Sequence, residues 1–384
     1  MKILYHHRTA SSDGQSVHID EMIAAFQDLG HEVRVVSPAT ASKDGSEKYM
    51  GSEVGWVRRL KLFLPRAAYE VLEFGYSLVA YWRLAVAVKE FKPDFIYERY
   101  NLFLLAGVFI KKRYGLPLLL EVNAPLVDER SKHSGGIRLE KFARWAEDYV
   151  WRQADYVLPV THVLGNIIRE RGVRASKIKV IPNGINKNAF LHAPSIDRAK
   201  VALGLEANFV LGFTGFVRDW HGVDKVLTWM ASKAAPQNCF LLIVGDGPVR
   251  TDLEMQAVNL GLRDRVFFTG VIDHHLVPSH VAAFDVALQP AVTAYASPLK
   301  LMEYLALGKA VIAPSQPNLR EILQDKKNSL LFDPKIPGDF EASLTLLCSD
   351  EVLREQISDG ALKTIDHQGL TWRANARRVA ELIE

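Results

Sequence analysis

A short segment in the second half of the chain combines the start of a helix with a cation and a carboxylate. Ser297 and Pro298 are typical of the N-cap and the first position of a helix. Backbone N–H groups in a first helical turn lack partners, so those of Leu299 and Lys300, with the lysine side chain, would bind a diphosphate. Glu303, on the same helix, would accept hydrogen bonds from a ribose diol. The alternative is a solvated i,i+3 pair between Lys300 and Glu303 on a surface helix.

A second cationic loop runs from Phe213 to Gly222, directly after a predicted strand. Arg218 and His221 in this loop would clamp a phosphate at the carboxyl end of the strand. Taken singly, Arg218 fits a surface ion pair and His221 a loop cap. Together with Lys300, they would direct two fixed cations and one titratable group at one ligand.

The loop after the first strand is a third candidate phosphate site. Ser11-Ser12-Asp13-Gly14-Gln15 leads into a helix, and Gly14 would let a ligand approach the backbone closely. An ordinary serine or aspartate helix cap explains the same residues. Neither this loop nor the glycine pair at 245–248 matches a dinucleotide fingerprint or a P-loop.

These loops lie between strands and helices that alternate along almost the whole chain. Such alternation predicts parallel sheets covered by helices on both faces, with ligands beyond the carboxyl ends of the strands. The predicted strands are 3–5, 33–36, 95–97, 118–122, 156–160 and 179–181 in the first half, and 209–213, 240–244, 266–268, 286–288, 310–312 and 330–332 in the second.

Length and composition indicate a two-domain globular protein. The chain has 384 residues, 48% of them hydrophobic and 24% charged, and a net charge of +3. These values exclude a disordered tail, a collagen-like fibre and a coiled-coil rod. The near-neutral charge gives no reason to expect nucleic-acid binding. A chain of this length is too long for one ordinary core.

Cysteine content and apolar stretches predict a cytoplasmic protein. Cys239 and Cys348, the only two cysteines, cannot build a zinc cluster or a disulfide framework. The N-terminus turns polar too early for a signal peptide. The longest apolar stretches, 76–88 and 102–110, are shorter than the about 20 residues that a membrane-spanning helix needs. We therefore expect no membrane span.

One basic segment stands out from the otherwise even distribution of charge. Residues 54–69 contain Arg58, Arg59, Lys61 and Arg66, interleaved with apolar and aromatic residues and without an acid. This composition suits peripheral contact with an anionic membrane that holds a lipid-linked acceptor. A helix that packs its apolar side on the domain and leaves its cations in water is the alternative.

A series of motifs along the chain resembles the GT4-type retaining glycosyltransferases of the GT-B fold. Their order and spacing cover nearly the whole chain. The motifs are Gly30-His31-Glu32-Val33, Val180-Ile181-Pro182-Asn183-Gly184-Ile185-Asn186 with Phe190, the loop from Gly215 to Gly222, the stretches 243–248, 268–271, 284–286 and 303–313, and Thr371-Trp372.

This resemblance implies a GT-B architecture of the α/β class, with two Rossmann-like doubly wound domains facing a cleft. The acceptor-binding domain would take residues 1–186 and the donor-binding domain 187–370, while a helix at 371–384 would cross back to the first domain. The implied activity is transfer of a sugar from a nucleoside-diphosphate sugar to a saccharide or lipid-linked acceptor, with retention, in cell-surface polysaccharide or glycolipid synthesis. No metal cofactor is expected, because no Asp-x-Asp pair is present.

The resemblance also assigns roles by position. Gly14 and Gln15 would face the donor diphosphate, and Gly215 belongs to the second phosphate loop. Val271 and Ile272 would flank the nucleobase through backbone atoms. Arg218, beside the amides of Leu299 and Lys300, would add charge at the phosphates, and Glu303 would bind the ribose.

The chain departs from the family pattern at two positions. Tyr295 stands where relatives carry the first glutamate of a Glu-x7-Glu motif, and His221 stands where they carry a phosphate-binding lysine. Lys300 would supply the missing cation.

The first domain carries the residues predicted to meet the sugars. Asn123 follows a strand where many relatives have a histidine, and with Glu129 and Arg130 it would face the acceptor or donor sugar. An ordinary polar loop explains these residues equally well.

Two other functions fit the same features. A nucleotide-sugar epimerase on this architecture would convert a nucleotide sugar without an acceptor. A non-catalytic sugar-nucleotide-binding protein would need no turnover, and Tyr295 in place of a glutamate leaves a weakened catalyst in consideration.

Overall fold

The computed structural model describes residues 1–9, 14–38, 65–133 and 136–384, which form two compact units. Unit 1 contains Met1–Pro182, Tyr295–Ser297 and Trp372–Glu384, and unit 2 contains Asn183–Ala294 and Pro298–Thr371. Each unit has its own parallel sheet with helices around it, so the predicted pair of parallel-sheet α/β domains is confirmed.

Both sheets are parallel throughout, as continuous apolar runs of strand residues require. Within the described residues, the order is β2-β1-β3-β4-β5 in unit 1 and β11-β10-β9-β6-β7-β8 in unit 2. The strands are β1 Lys2–His6, β2 Glu32–Val36, β3 Phe95–Arg99, β4 Leu118–Val122, β5 Tyr156–Pro159, β6 Phe209–Thr214, β7 Cys239–Val244, β8 Val266–Phe268, β9 Val286–Leu288, β10 Ala310–Pro314 and β11 Leu330–Phe332.

Helices connect the strands as crossovers. In unit 1 they are α1 Gly14–Asp28, α2 Arg66–Phe91, α3 Ala106–Tyr114, α4 Leu126–His133, α5 Glu140–Gln153 and α6 His162–Glu170. In unit 2 they are α7 Lys187–Phe190, α8 Ile196–Leu203, α9 Val223–Met230, α10 Arg250–Asn259, α11 Val277–Val281, α12 Leu299–Ala306, α13 Asp339–Ser349 and α14 Glu351–Gln368. The last helix, α15 Trp372–Ala380, returns to unit 1.

One predicted strand is wrong. Residues 179–181 run beside β5, where the N–H groups of Lys179 and Ile181 donate to the carbonyls of Val157 and Pro159. They form no strand, and Ile178 makes only an isolated bridge. The ladder ends because Pro182 follows and has no N–H to donate.

Helix α2 is longer than the sequence analysis expected, and its length bears on the prediction that no apolar stretch is long enough to span a membrane. The apolar stretch 76–88 extends in both directions, and Ala67–Phe91 is the one helix among the described residues that is long and apolar enough to cross a membrane. A buried helix of a globular protein passes the same test. Here Leu84 and Val88 pack into the core of unit 1, yet only 33% of the most apolar window is buried.

Helix α15 packs on α1 within unit 1. The rings of Trp372 and His18 lie 4.6 Å apart, and the Asn375 side chain donates to the Pro182 carbonyl over 2.6 Å. The last residues of the chain therefore complete the unit that the first residues begin.

Candidate functional site

Each sheet reverses its strand order at one point, and charged residues gather there. In unit 1 the reversal lies between β1 and β3, and in unit 2 between β9 and β6. Loops that leave the carboxyl ends of neighbouring strands diverge at such a point and open a crevice for ligands. In unit 2, Lys300 and Glu303 lie on the helix that follows β9, and in unit 1 Glu121 lies in β4, the strand next to β3.

The start of α12 differs from the sequence-based prediction by one residue. Pro298, with φ −68° and ψ 125°, is the N-cap, and Ser297 is buried one position earlier without capping the helix. The proline ring permits a helical φ, but the extended ψ delays the first helical residue to Leu299. The first turn still presents the N–H groups of Leu299 and Lys300, since Leu301 is the first to donate back, to Pro298.

Lys300 projects from this turn onto an aromatic ring. Its Nζ lies 3.6 Å from the centre of the Phe213 ring, at the end of β6. A side chain at Gly215, where φ is +112°, would come within 3.7 Å of that Nζ. Burial lowers the pKa of Lys300 to about 7, although Glu303 opposes this shift. Near pH 7 Lys300 is therefore only partly charged, and a bound anion would stabilise its charged form.

Glu303 has an unused acceptor. Its Oε2 atom is buried and has no hydrogen-bond partner among the described residues. Burial raises the pKa of Glu303 to about 7, against the effect of Lys300. No ion pair within 4 Å joins the two residues, so they do not form the solvated i,i+3 pair of the alternative interpretation. A buried acceptor without a donor suits a ligand hydroxyl.

In the loop after β6, Arg218 and His221 make contacts within the loop itself, and His221 acts as the loop cap of the alternative interpretation. Arg218 is exposed and its guanidinium stacks on Phe216 and Trp220, 4.8 and 5.0 Å from the ring centres. His221 accepts the Arg218 backbone N–H at Nδ1 over 3.1 Å. Burial, and then the charges of Lys300 and Arg218, lower the pKa of His221 to about 3. His221 is thus a neutral loop cap, and it does not add a third cation.

Two glycines after β7 hold this loop in place by direct backbone packing. A Cβ at Gly245 would lie 2.2 Å from the carbonyl oxygen of Gly215, and one at Gly247 would lie 2.0 Å from that of Val217. The Val217 N–H also donates to the Asp246 carbonyl over 2.8 Å. The glycine pair therefore packs the loop after β7 directly against the loop after β6.

Tyr304 is a positioning residue that the sequence analysis did not identify. Its hydroxyl accepts the backbone N–H of Thr214 over 2.8 Å and so ties α12 to the end of β6. The only sequence signal was an aromatic residue next to Glu303. Val271 and Ile272 follow β8: Val271 is 44% exposed, and Ile272 packs against the core of unit 2.

In unit 1, the carboxylate of Glu121 near the end of β4 contacts four side chains. Arg99 and Asn123 donate to its Oε1, while Tyr97 donates to Oε2 over 2.9 Å and His18 lies 3.2 Å from Oε2. Burial alone would raise the pKa of Glu121, but His18 and Arg99 hold it well below its usual range. The orientation of the Asn123 side chain is therefore set by the hydrogen bond that its amide N–H donates to Glu121.

His18, Tyr97 and Arg99 did not emerge from the sequence analysis. They come from α1 and β3, and the contacts with Glu121 span 22 to 103 positions along the chain. The strand itself was predicted at 95–97, but its sequence gave no indication of the partners of the charged residues that follow.

Glu129 and Arg130 on α4 point to different partners. Both Nη atoms of Arg130 donate to Glu73, over 2.7 and 3.0 Å, and Arg8 donates to the same carboxylate over 2.7 Å. Glu129 accepts the hydroxyl of Tyr295 over 2.8 Å. Arg130 is thus committed to a structural ion pair, while Glu129 places a carboxylate against the tyrosine that replaces the expected glutamate.

Three predicted features lie at or beyond the edge of the described residues. Gly14 is the first residue of α1, but the side chain of Gln15 and most of the preceding loop are outside them. Most of the basic segment 54–69 is outside as well.

Among the described residues, no group of three or more His, Cys, Asp or Glu is placed to hold a metal ion.

Family models match both halves of the chain. Residues 13–184 match the glycosyl transferase 4-like domain, and residues 195–364 match glycosyl transferases group 1. Together the two models cover most of the sequence.

Individual relatives are distant. An uncharacterized glycosyltransferase of Methanocaldococcus jannaschii is 21% identical over 312 residues, which span 80% of this chain and 79% of that protein. The alpha-monoglucosyldiacylglycerol synthase of Streptococcus pneumoniae is 24% identical over 280 residues, 70% of this chain and 62% of that protein. The chain spans 50%, 65% and 59% of three further curated relatives.

A solved structure shares the fold over the whole chain. Anabaena HepE in complex with UDP has a TM-score of 0.76 and 19% identity, and the match covers 100% of this chain and 99% of that one. At this identity the likeness concerns the fold.

Proposed function

Because the chain belongs to the GT4-type glycosyltransferases of the GT-B fold, we propose that it transfers a sugar from a nucleoside-diphosphate sugar to a saccharide or lipid-linked acceptor. We further propose that transfer proceeds with retention and serves cell-surface polysaccharide or glycolipid synthesis. The observation that carries the proposal is the arrangement at α12. A half-buried Lys300 stands on the first turn, and Glu303 lies one turn later with an unpartnered buried oxygen.

The donor diphosphate would bind the first turn of α12. The N–H groups of Leu299 and Lys300 would donate to its oxygens, and the Lys300 ammonium would neutralise charge. Arg218 is exposed on the neighbouring loop and would add a second cation. These groups stabilise the departing diphosphate more than the intact donor, because negative charge grows on it in the transition state. We propose that this arrangement works without a metal ion.

The nucleoside would occupy the adjoining loops. Glu303 would accept from the two ribose hydroxyls, which supply the donors that its Oε2 lacks. The exposed Val271 and the backbone of Ile272 would flank the base. HepE in its UDP complex shares the fold, which supports a nucleoside diphosphate as the ligand class.

The transfer itself exchanges one glycosidic bond for another. The bond between the anomeric carbon and the diphosphate oxygen breaks, and the acceptor oxygen bonds to that carbon through an oxocarbenium-like state. The acceptor proton passes to the departing diphosphate, so that attack occurs on the face that the leaving group vacates. No side chain has to serve as a covalent nucleophile in this scheme.

Unit 1 would bind the acceptor. Asn123, oriented by Glu121, would accept a hydrogen bond from a sugar hydroxyl, and Glu129 would act with Tyr295. Arg130 would order α4 through Glu73 instead of touching the acceptor. The basic segment 54–69 would hold the protein at an anionic membrane, and a relative that is named as a diacylglycerol glycolipid synthase supports this choice.

Ligand-induced thermal stabilisation tests the donor site. Uridine, guanosine, adenosine and thymidine diphosphates are titrated separately, and at least one should raise the unfolding temperature in proportion to its affinity. Lys300→Met and Glu303→Gln should each weaken binding of that nucleotide about tenfold, because each removes a charged hydrogen-bond partner. Lys363→Met and Glu355→Gln, at exposed positions of α14, are the matched controls.

Two results would contradict the proposal. One is the absence of stabilisation by every nucleoside diphosphate and its glucose conjugate. The other is full affinity in both site variants. Product analysis then separates transfer to an acceptor from epimerisation of the free nucleotide sugar.

A further inference from the structure

Helix α2 carries its charges and its apolar residues on unexpected sides. Glu70 and Glu73, in its first two turns, are 4% and 8% exposed, and they bind backbone N–H groups of 138–139 and the guanidiniums of Arg8 and Arg130. A surface helix ordinarily turns carboxylates to water and apolar residues to the core. Here the inner side contains the acids, so the outer side is left apolar.

The outer side forms one continuous stripe. Six large apolar residues recur at helical spacing over four turns, each between 51% and 70% exposed: Val71, Leu72, Leu78, Val79, Trp82 and Val86. We call this set the outer face of α2. Between its ends the only other exposed residue is Arg83, and no acid interrupts it. A contiguous apolar stripe of this length marks an interaction surface.

Aromatic and cationic residues continue the surface onto the next helices. Phe74 of α2 contacts Phe142, whose ring stacks on the 51% exposed Trp145, and Trp145 stacks in turn on Tyr149. Lys112 donates to the Tyr149 hydroxyl over 2.9 Å. Exposed aromatic rings beside amines are typical of the boundary between lipid tails and head groups.

We propose that the outer face of α2 docks in the plane of an anionic lipid bilayer. This inference rests on the proposed lipid-linked acceptor and names the surface that would reach it. The inner side of α2 is committed to the core and to two ion pairs, so the helix lies along the membrane instead of crossing it. Arg83, Lys89 and Lys112 are exposed cations that an anionic leaflet complements, and the one exposed acid at this end of the helix, Glu90, is paired with Arg34.

A second copy of the chain fits this face less well. Across a twofold axis the face would meet its own copy. The exposed charges in and just beyond the stripe are the cations Arg83 and Lys89 and one acid, Glu90, which is already paired with Arg34 over 2.6 Å. A second copy would thus bring like charges together, whereas an anionic lipid leaflet imposes no such repulsion.

The acceptor residues adjoin this helix from inside. Glu73 is the α2 residue that binds Arg130 of α4, next to Glu129. A lipid-linked sugar held by α4 would therefore lie within one helix width of the membrane-docked surface, about 10 Å.

Co-sedimentation of the full chain with vesicles tests the proposal. Vesicles of phosphatidylcholine with phosphatidylglycerol should sediment the protein, and pure phosphatidylcholine vesicles should do so more weakly. The double variant Leu78→Glu with Trp82→Glu should bind at least about tenfold more weakly, since each leucine-sized side chain contributes about that factor. Val352→Glu with Met255→Glu adds equal charge at positions 75% and 54% exposed in unit 2, and should bind like the wild type.

Three outcomes overturn the inference. They are absence of wild-type binding at low salt, equal loss in both double variants, and a dimer in solution that the α2 variant alone dissociates. Nucleoside diphosphate stabilisation, measured on the same proteins, reports the donor site separately. Failure on vesicles with an intact nucleotide response therefore removes the membrane surface and leaves the proposed transferase activity standing. If the α2 double variant unfolds, Leu78→Gln with Val79→Thr replaces it.

Discussion

At the scale of single residues, the proposed donor site depends on two side chains whose pKa values are shifted by burial towards 7. Burial lowers the pKa of Lys300 and raises that of Glu303, each to about 7. Neither group pairs with the other, so both are available to a ligand. His221, by contrast, stays neutral because its pKa is lowered to about 3. We therefore propose Lys300 as the cation that takes the place of the lysine expected at position 221.

The titration of Lys300 predicts a pH-dependent affinity. Below pH 7 the free protein already carries the charged lysine, whereas above pH 7 binding of a diphosphate must take up a proton. Each pH unit above 7 should then weaken binding by up to about tenfold until the pKa in the complex is reached. Lys300→Arg, which stays charged, should flatten this dependence.

Calorimetric titration between pH 6 and 9, in buffers of different ionisation heats, measures both the affinity and the proton uptake. Because Glu303 ionises over the same range, the comparison with Lys300→Arg isolates the lysine. An identical pH profile in wild type and Lys300→Arg would exclude this role for Lys300.

At the scale of elements, α12 is positioned by a hydrogen bond to β6, and the loop after β6 is positioned by backbone packing too close to admit a side chain. Tyr304 fixes α12 to β6 through the Thr214 N–H, and the loop after β7 packs backbone to backbone on the loop after β6. The ends of β6 and β7 adjoin because their strands are neighbours over six residue pairs. The loop after β6 is therefore held by the neighbouring strand β7 and its loop as much as by its own sequence.

Gly245→Ala should test that packing. At φ +142° an alanine is strained, and its Cβ would lie 2.2 Å from the Gly215 carbonyl oxygen, so the loop after β6 must shift. We expect a loss of nucleotide affinity together with a lower unfolding temperature. Gly261→Ala is the control, since φ is +70° there and nothing lies within 4 Å of its Cβ. The control should cost only about 1–2 kcal/mol of stability from the left-handed backbone and keep its affinity. Equal behaviour of the two variants in thermal shift would count against the packing argument.

At the scale of the whole molecule, the two units are not consecutive in the chain. Unit 1 begins with β1 and ends with α15, and unit 2 lies between them apart from the short segment Tyr295–Ser297. Trp372, Ala376 and Val379 of α15 are buried, and Asn375 binds the Pro182 carbonyl. The C-terminal helix is therefore a stability element of the N-terminal unit.

Truncation after Thr371 should destabilise unit 1 selectively. Loss of the buried Trp372 alone should lower its free energy of unfolding by about 3–5 kcal/mol. Unit 2 should retain its nucleotide response, because it loses no residue. Removal of residues 381–384 is the matched control and should have little effect. Urea unfolding followed with and without nucleotide distinguishes the units, and equal loss in both would refute the assignment of α15 to unit 1.

Much of the fold could be predicted from the sequence, because strands and helices of an α/β protein are marked by local apolar patterns. The six strands of unit 2 agree with the predicted ones within two residues. The wrongly predicted N-cap and strand lie where a neighbouring proline overrides a local sequence pattern. Ser297 resembles an N-cap, yet the extended Pro298 takes that position. Residues 179–181 resemble a strand, yet Pro182 ends their pairing.

What the sequence by itself determined is the fold class, the family, the helix that carries Lys300 and Glu303, and the loop that contains Arg218. These features follow from short-range patterns, since a parallel sheet brings all its strand ends to one edge. Only the tertiary structure decided that Glu121 unites Arg99, His18 and Asn123, that His221 is neutral, and that α2 presents its apolar side outward. The physical reason is that burial and pairing depend on neighbours from distant parts of the chain. A periodic pattern specifies two sides of a helix, and the neighbours decide which of them is covered.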